Sequence, residues 1–203
     1  MTKPKEISKG ERTRKVILDA AYGLIIEQGY AATSMRQIAE KAGLALGSIY
    51  NHFSAKEDVF RSIMQERHPF LEIIPILSSV EGETVEEYVR NVAHALIDQL
   101  GNHAEFLNLL LTEIVEFHGQ HVPLVFEKMF PEVLPIAQRM SALYGNVRRI
   151  PVPVQARAFL GMFFSYYITG VLLGPVMPPE MQEHALDYFV DIFLHGVLAK
   201  DAA

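Results

Sequence analysis

The sequence predicts an all-α fold, with a three-helix head at the amino end and a larger helical body behind it. Three observations carry that class. Apolar residues recur at helical spacing, side-chain capping signatures precede the apolar runs, and no run alternates with a period of two for long enough to make a strand. With 203 residues, 50% of them hydrophobic and 21% charged, the chain can bury a sizeable core. It has no cysteine, which excludes disulfides and thiolate zinc sites. The start, MTKPKEISKGERTRK, is polar and basic and lacks the apolar segment of a secretory signal, so a cytoplasmic protein is expected.

Residues 12–28 carry Val16, Ile17, Ala20, Ala21, Leu24 and Ile25 at helical spacing, and Gly29 follows as a stop. Ser34 with Gln37, Ser54 with Glu57 and Thr84 with Glu87 have the spacing of capping boxes, which marks three more helix starts. The helix begun at Ser34 holds Ile38, Ala39 and Ala42, and Gly43 then permits a left-handed turn. A second short helix is expected over about 45–53, with Ala45, Ile49 and Phe53 on its inner face. Further helices are expected through Phe106, Leu109, Leu110 and Glu113 as far as Gly119, then over 122–144, 154–173 and 180–199. Pro131 and Pro135 predict a kink or break in the 122–144 segment. The expected division is a head of 1–54 with a basic tail, and a body of 55–203 joined through a helix starting near residue 55.

Two short helices joined by a tight glycine turn make a helix-turn-helix, whose second helix lies in the DNA major groove. Here that helix leaves Leu46, Gly47, Ser48, Tyr50 and Asn51 outward or flanking, with His52 and Lys56 at the junction with the next helix. Charge is distributed accordingly. Residues 1–67 hold 11 Lys and Arg against 8 Asp and Glu, whereas the remainder holds 7 against 16, so a basic head sits on an acidic body despite a net charge of -6.

Ala39, Gly43 and Ile49 fit the general helix-turn-helix spacing, and the longer stretch TSMRQIAEKAGLALGSIYNHFSAKEDVF, residues 33–60, resembles the DNA-binding domain of the tetracycline-repressor (TetR) family. The Thr-Ser cap, Ile-Ala, Ala-Gly, Gly-Ser-Ile-Tyr, His-Phe and Lys-Glu pairs all fall in register. The resemblance implies that Tyr50 and His52 meet the DNA backbone, that Lys56 contacts phosphate at a helix start, and that Ser34 and Arg36 occupy another phosphate-facing helix start. Base reading falls to the second helix, where Gly47 and Ser48 let the backbone approach closely. The chain departs from the family at two positions. Ala45 stands where serine or threonine is common, a loss of about 0.5–2 kcal/mol in capping. Leu46 stands where a polar or basic residue is common; it either packs within its own domain or meets a thymine methyl.

The body has composition rather than motif. Residues 158–179 contain no charge, long enough to raise a membrane span, but Gly161, Ser165, Thr169, Gly170, Gly174 and Pro175 interrupt the run and two tyrosines sit at its middle. A helix apolar all round is instead expected to be covered by protein on both sides. With the stripe Leu186, Phe189, Val190, Phe193, Leu194 and Val197, it predicts a homodimer through a four-helix interface, as the resembled family forms, reading a palindromic double-stranded operator with no membrane partner. Phe106, Leu110, Phe126, Met129, Phe130, Phe163, Tyr166 and Tyr167 are the candidate lining of a site for a small apolar or aromatic effector, which would favour one spacing of the two heads and so lower DNA affinity.

His118 and His121 with Glu113 and Glu116 suggest a metal cluster, but Gly119 and Pro123 interrupt the helix that would align them, and a solvated helix end is the expectation. No metal or other cofactor is expected. An all-α small-molecule-binding protein or enzyme without DNA binding is the alternative class; GLALG, 43–47, lacks the lysine of a phosphate loop, and there is no nucleophile elbow. If Leu46 reads DNA, binding-site selection should enrich A·T at the base pair it faces; a G·C pair contacted through Leu46 would contradict this.

Overall fold

The first helix begins earlier than its apolar spacing. In the computed structural model, which describes residues 8–103, 105–142 and 150–197, Ser8 and Glu11 form a reciprocal capping box and α1 runs Lys9–Gln28. That signature lies in a polar stretch that apolar periodicity does not register. Gly29, at φ 84°, ends the helix. α2, Met35–Ala42, carries both halves of the Ser34–Gln37 box and closes on Gly43, whose φ of 66° and ψ of 32° are left-handed. α3 spans only Leu46–Tyr50, shorter than the expected 45–53. The amides of His52 and Phe53 both turn back on the Ile49 carbonyl, which tightens and ends the helix. Ala45, expected inside, is instead the exposed N-cap residue.

α4, Lys56–Glu66, starts after Ala55, not Ser54, and no side chain caps it. The expected Ser54–Glu57 box does not form: Glu57 accepts from Arg61 at 3.3 Å and from Gln120 at 3.0 Å instead. α5, Phe70–Ser78, was not foreseen, since it has no capping signature and contains Pro75. α6 is Val85–Asn102, where Thr84 caps Glu87 at 3.2 Å while the Glu87 carboxylate passes over Thr84 to the Glu83 amide, so only half of that box forms.

α7, Glu105–Phe117, ends at His118 and Gly119, both at positive φ, and α8 runs Val122–Ala142. The break expected at Pro131 and Pro135 is absent. The prolines are four residues apart, so both missing amides fall on one side of the helix and the ladder on the other side persists. Residues 143 and 144 of the expected helix lie outside the described residues. α9 is Val152–Leu173, followed by 3₁₀ turns at Gly174–Val176 and Pro179–Met181. α10, Ala185–Val197, starts later than the expected 180 because those turns and His184, at φ 53°, precede it; residues 198 and 199 are outside the described set. Among the described residues there is no strand.

The described residues form two compact units, one of 8–69 with 105–126 and one of 70–103 with 127–142 and 150–197. In the first, α1 packs on α2, α4 and α7, and α2 on α3, around Ile17, Leu18, Ile38, Ile49, Phe60 and Leu109, all fully buried. The solvated helix end expected at Glu113 and His121 is a correction: Glu113 is 0% exposed and His121 is buried. The Glu113 carboxylate accepts the His121 backbone N–H at 2.6 Å and lies 2.9 Å from its Nδ1. Phe117 and Phe60 shield the pair, with the His121 ring edge-on to Phe117 at 4.8 Å. His118 and Glu116 are exposed, and no three potential ligands converge among the described residues.

In the second unit α6 packs against α5, α9 and α10, and α9 against α10. Phe159, Phe163 and Phe193 interlock their rings, while Asp187 on α10 takes both Arg90 and His94 of α6.

His68, which follows α4, is 5% exposed against the ring edge of Phe106, and burial pushes its pKa from 6.5 down to about 4. The unfolded chain therefore takes up this proton before the folded one. The stability His68 contributes as a neutral ring is complete above about pH 6.5 and is lost as pH falls towards 4, by about 1.4 kcal/mol per pH unit. Urea midpoints measured from pH 7 to 4.5 should fall less steeply in His68→Gln than in the wild type; equal slopes would contradict this.

Candidate nucleic-acid interface

Three features of the first unit present α3. Gly43 turns the chain in the left-handed region, and its N–H reaches the Ala39 and Glu40 carbonyls, so α2 and α3 meet at a fixed sharp angle. Ile49 is fully buried and Phe53 nearly so, with the Arg14 guanidinium 5.1 Å above the Phe53 ring. Arg14 is itself held by Glu66 and Ser62 on α4. These anchors fix the inner side of a helix too short to hold itself.

The outer side is polar and aromatic. Tyr50 is 52% exposed and Leu46 40%; Gly47 and Asn51 are also exposed, and Ser48 and His52 are half-buried. A Cβ at Gly47 would meet nothing within 4 Å, so its backbone is open to close approach. Leu46 at 40% exposure is only partly used by its own domain.

Two helix starts flank this face. At α2, Ser34 is exposed, but its hydroxyl is occupied within the capping box, accepting from the Gln37 amide and donating to Gln37 Oε1 at 2.8 Å. Arg36 is open, held by an exposed contact to Glu40 at 3.2 Å, a pairing worth about 0.3–0.5 kcal/mol that a phosphate can displace. At α4 the first turn has no side-chain cap.

Lys56 behaves differently from the others. Its ammonium donates to the carbonyls of Tyr30 and Thr33, both at 2.7 Å, and lies 4.1 Å from the Tyr30 ring centroid. Burial lowers its pKa, and the Glu116 carboxylate partly offsets that. Burial raises the pKa of Tyr30, and the nearby anions Glu57 and Glu116 add to the rise. Other head cations are also engaged: Lys41 with Glu27, Arg61 with Glu57 and Asp58, and Arg67 with Asp19. Lys9, Arg12 and Lys15 lie exposed on α1, a source of positive surface that motif reading alone did not single out.

The candidate effector residues divide between the units. In the first, Phe106 is buried, Leu110 half-buried and Phe126 exposed. In the second, Met129 and Phe130 are half-buried, and Tyr167 is buried. Phe163 is locked between Phe159 and Phe193, and Tyr166 sets its ring edge-on to Phe189 at 5.2 Å, so both serve the packing of α9 on α10.

Comparison with known proteins agrees with the geometry of the head. The family model described as bacterial regulatory proteins, tetR family, matches residues 17–63, from within α1 to near the end of α4. The HTH-type transcriptional regulator SrpR of Pseudomonas putida is 36% identical over 188 residues, covering 88% of this chain and 82% of that protein. YvkB of Bacillus subtilis (strain 168), an uncharacterized HTH-type transcriptional regulator, is 24% identical over 92% of this chain and 98% of its own length. The fold is shared with the fatty acid degradation regulator FadR from Bacillus halodurans, at a TM-score of 0.66 and 19% identity over 94% of this chain and 97% of that one. With the helix-turn-helix geometry in place and a relative of this similarity along most of its length, the chain belongs to the tetR family of DNA-binding transcriptional regulators.

Proposed function

We propose that the protein is a homodimeric repressor that reads a palindromic operator with α3 and is released by a small apolar or aromatic molecule held in its helical body. The observation that carries the reading is the outward face of α3, with Tyr50, Asn51, Gly47 and Leu46 exposed around a fully buried Ile49. Leu46 and Ser48 face the bases in this reading, while Tyr50, His52, Arg36 and the Ser34 helix start serve the phosphates, with Lys56 at the head of α4. In this reading residues 1–54 are the reader and 55–203 the ligand-binding and dimerising body.

Pairing of two copies is supported by the surface of α9 and α10. The most apolar stretch of Val152–Val176 is long enough to cross a membrane, yet only 17% of it is buried within the chain. Leu160, Val171 and Leu172 on α9, with Tyr188 and Ile192 on α10, remain exposed. Large apolar side chains left exposed on two helices that pack on each other favour an interface. A second copy suits it better than lipid, because a lone recognition helix reads only half a site and the two-fold partner supplies the other half. A small molecule that favours one spacing of the paired heads then weakens DNA binding, and DNA weakens its binding by the same factor.

A random-sequence selection followed by titration at several salt concentrations tests the reading: a two-fold symmetric site and a steep loss of affinity with salt are expected, and failure to bind any DNA would contradict it. Tyr50→Ala should keep the melting temperature, since the side chain is largely exposed, while lowering affinity about tenfold on matched and mismatched sites alike. Unchanged binding would remove Tyr50 from the interface. Ile192→Asp, at a position 60% exposed, should leave a folded subunit that sediments as a monomer and no longer shifts the operator. A dimer that persists would place the interface elsewhere.

A further inference from the structure

Resting on the DNA-binding reading above, we propose that Lys56 is a positioning residue, whose ammonium braces the turn between α1 and α2 from inside while an aromatic cluster anchors that brace to the α7–α8 junction. The two carbonyls it binds, Tyr30 and Thr33, lie immediately before Ser34, the cap of α2. Lys56 is itself the first residue of α4. One side chain thus ties together the two helix starts that flank α3.

The turn it braces is already closely specified. The Thr33 amide donates to the Tyr30 carbonyl at 3.1 Å, and the Thr33 hydroxyl donates to the Gly29 carbonyl at 2.9 Å. Lys56 ties this turn to α4 by two hydrogen bonds. Its third face is covered by the Tyr30 ring, which meets Phe60 of α4 and Phe117 of α7 edge-on, at 5.4 and 4.8 Å. Phe60 and Phe117 stack at 4.7 Å, and Phe117 adjoins the buried His121–Glu113 pair. A second tether runs alongside, from the Gln120 amide to the Glu57 carboxylate in the first turn of α4. All of these residues belong to the first unit.

Two facts argue against the ammonium as a phosphate donor. Two of its three N–H groups are spent on carbonyls at 2.7 Å, and releasing them would leave both carbonyls to find new donors in a half-buried turn. The surroundings also disfavour an incoming anion, because Glu57 and Glu116 are near enough to act electrostatically on Tyr30, and Glu116 on Lys56. Lys56 then acts through position: its side chain sets where the start of α4 stands relative to the turn before α2.

Salt dependence separates the roles. Each phosphate contact removed lowers the slope of log K against log salt by about 0.9, so a dimer losing two would lose about 1.8. On the selected operator, Lys56→Met should lower affinity about tenfold with the wild-type slope retained. Lys56→Arg should lose a similar amount, because a planar fork does not fit where a compact ammonium meets two carbonyls and a ring, whereas a phosphate donor would be preserved. Tyr30→Leu, which keeps every cation, should behave in the same way and decides the matter if a Lys56 variant fails to melt cooperatively. A slope reduced by about 1.8 in Lys56→Met, wild-type affinity in Lys56→Arg, or wild-type affinity in Tyr30→Leu overturns the inference. If the wild type binds no DNA, the underlying reading falls and this one with it, an outcome distinct from the other three.

Discussion

Five residues cannot hold a helix in water: nucleation costs more than so few hydrogen bonds return. α3, Leu46–Tyr50, therefore owes its existence to what is beneath and before it. Ile49 is fully buried in the core of α1, α2 and α4, Phe53 follows it inward, and Gly43 sets the angle at which the chain arrives. The absence of a side-chain cap at Ala45 makes that dependence greater. A face with exposed Leu46 and Tyr50 is useful only if it is held still, and the first unit supplies the holding.

The charges of the head follow the same logic. Its basic excess looks, in sequence, like a store of phosphate donors, yet Arg14, Lys41, Arg61 and Arg67 each meet a carboxylate and Lys56 meets two carbonyls. Most of these pairs are exposed and contribute little to stability, at most about 1 kcal/mol each. Their effect is geometric, since Arg14–Glu66 and Arg67–Asp19 both join α1 to the region of α4. Among the described residues of the head, Lys9, Arg12, Lys15 and Arg36 are the exposed cations outside those pairs between elements.

Local signals were legible in the sequence where they were complete within a few residues. The Ser34–Gln37 box, the stops at Gly29 and Gly43 and the inward Ile49 all depend on near neighbours, and they placed α1, α2 and the turn before α3. Ser54 and Glu57 show the limit, because the box spacing is present while distant Gln120 and nearby Arg61 compete for the carboxylate. α5 was missed for want of a cap and because of Pro75. Glu113 and His121 read as a solvated end because one of the two rings that shield them, Phe60 on α4, comes from a distant part of the sequence. The inward turn of Lys56 is of the same kind: its partners precede it by more than twenty residues, at Tyr30 and Thr33.

The central claim is that a rigidly seated α3 enters the major groove once per subunit of a symmetric pair. Dimethyl sulfate protection on the selected operator measures this most directly, since it reports guanine N7 in the major groove. The account predicts two protected blocks related by a two-fold axis and separated by about one helical turn or a multiple of it. A single unsymmetrical block, or binding that leaves every major-groove guanine reactive, would contradict it.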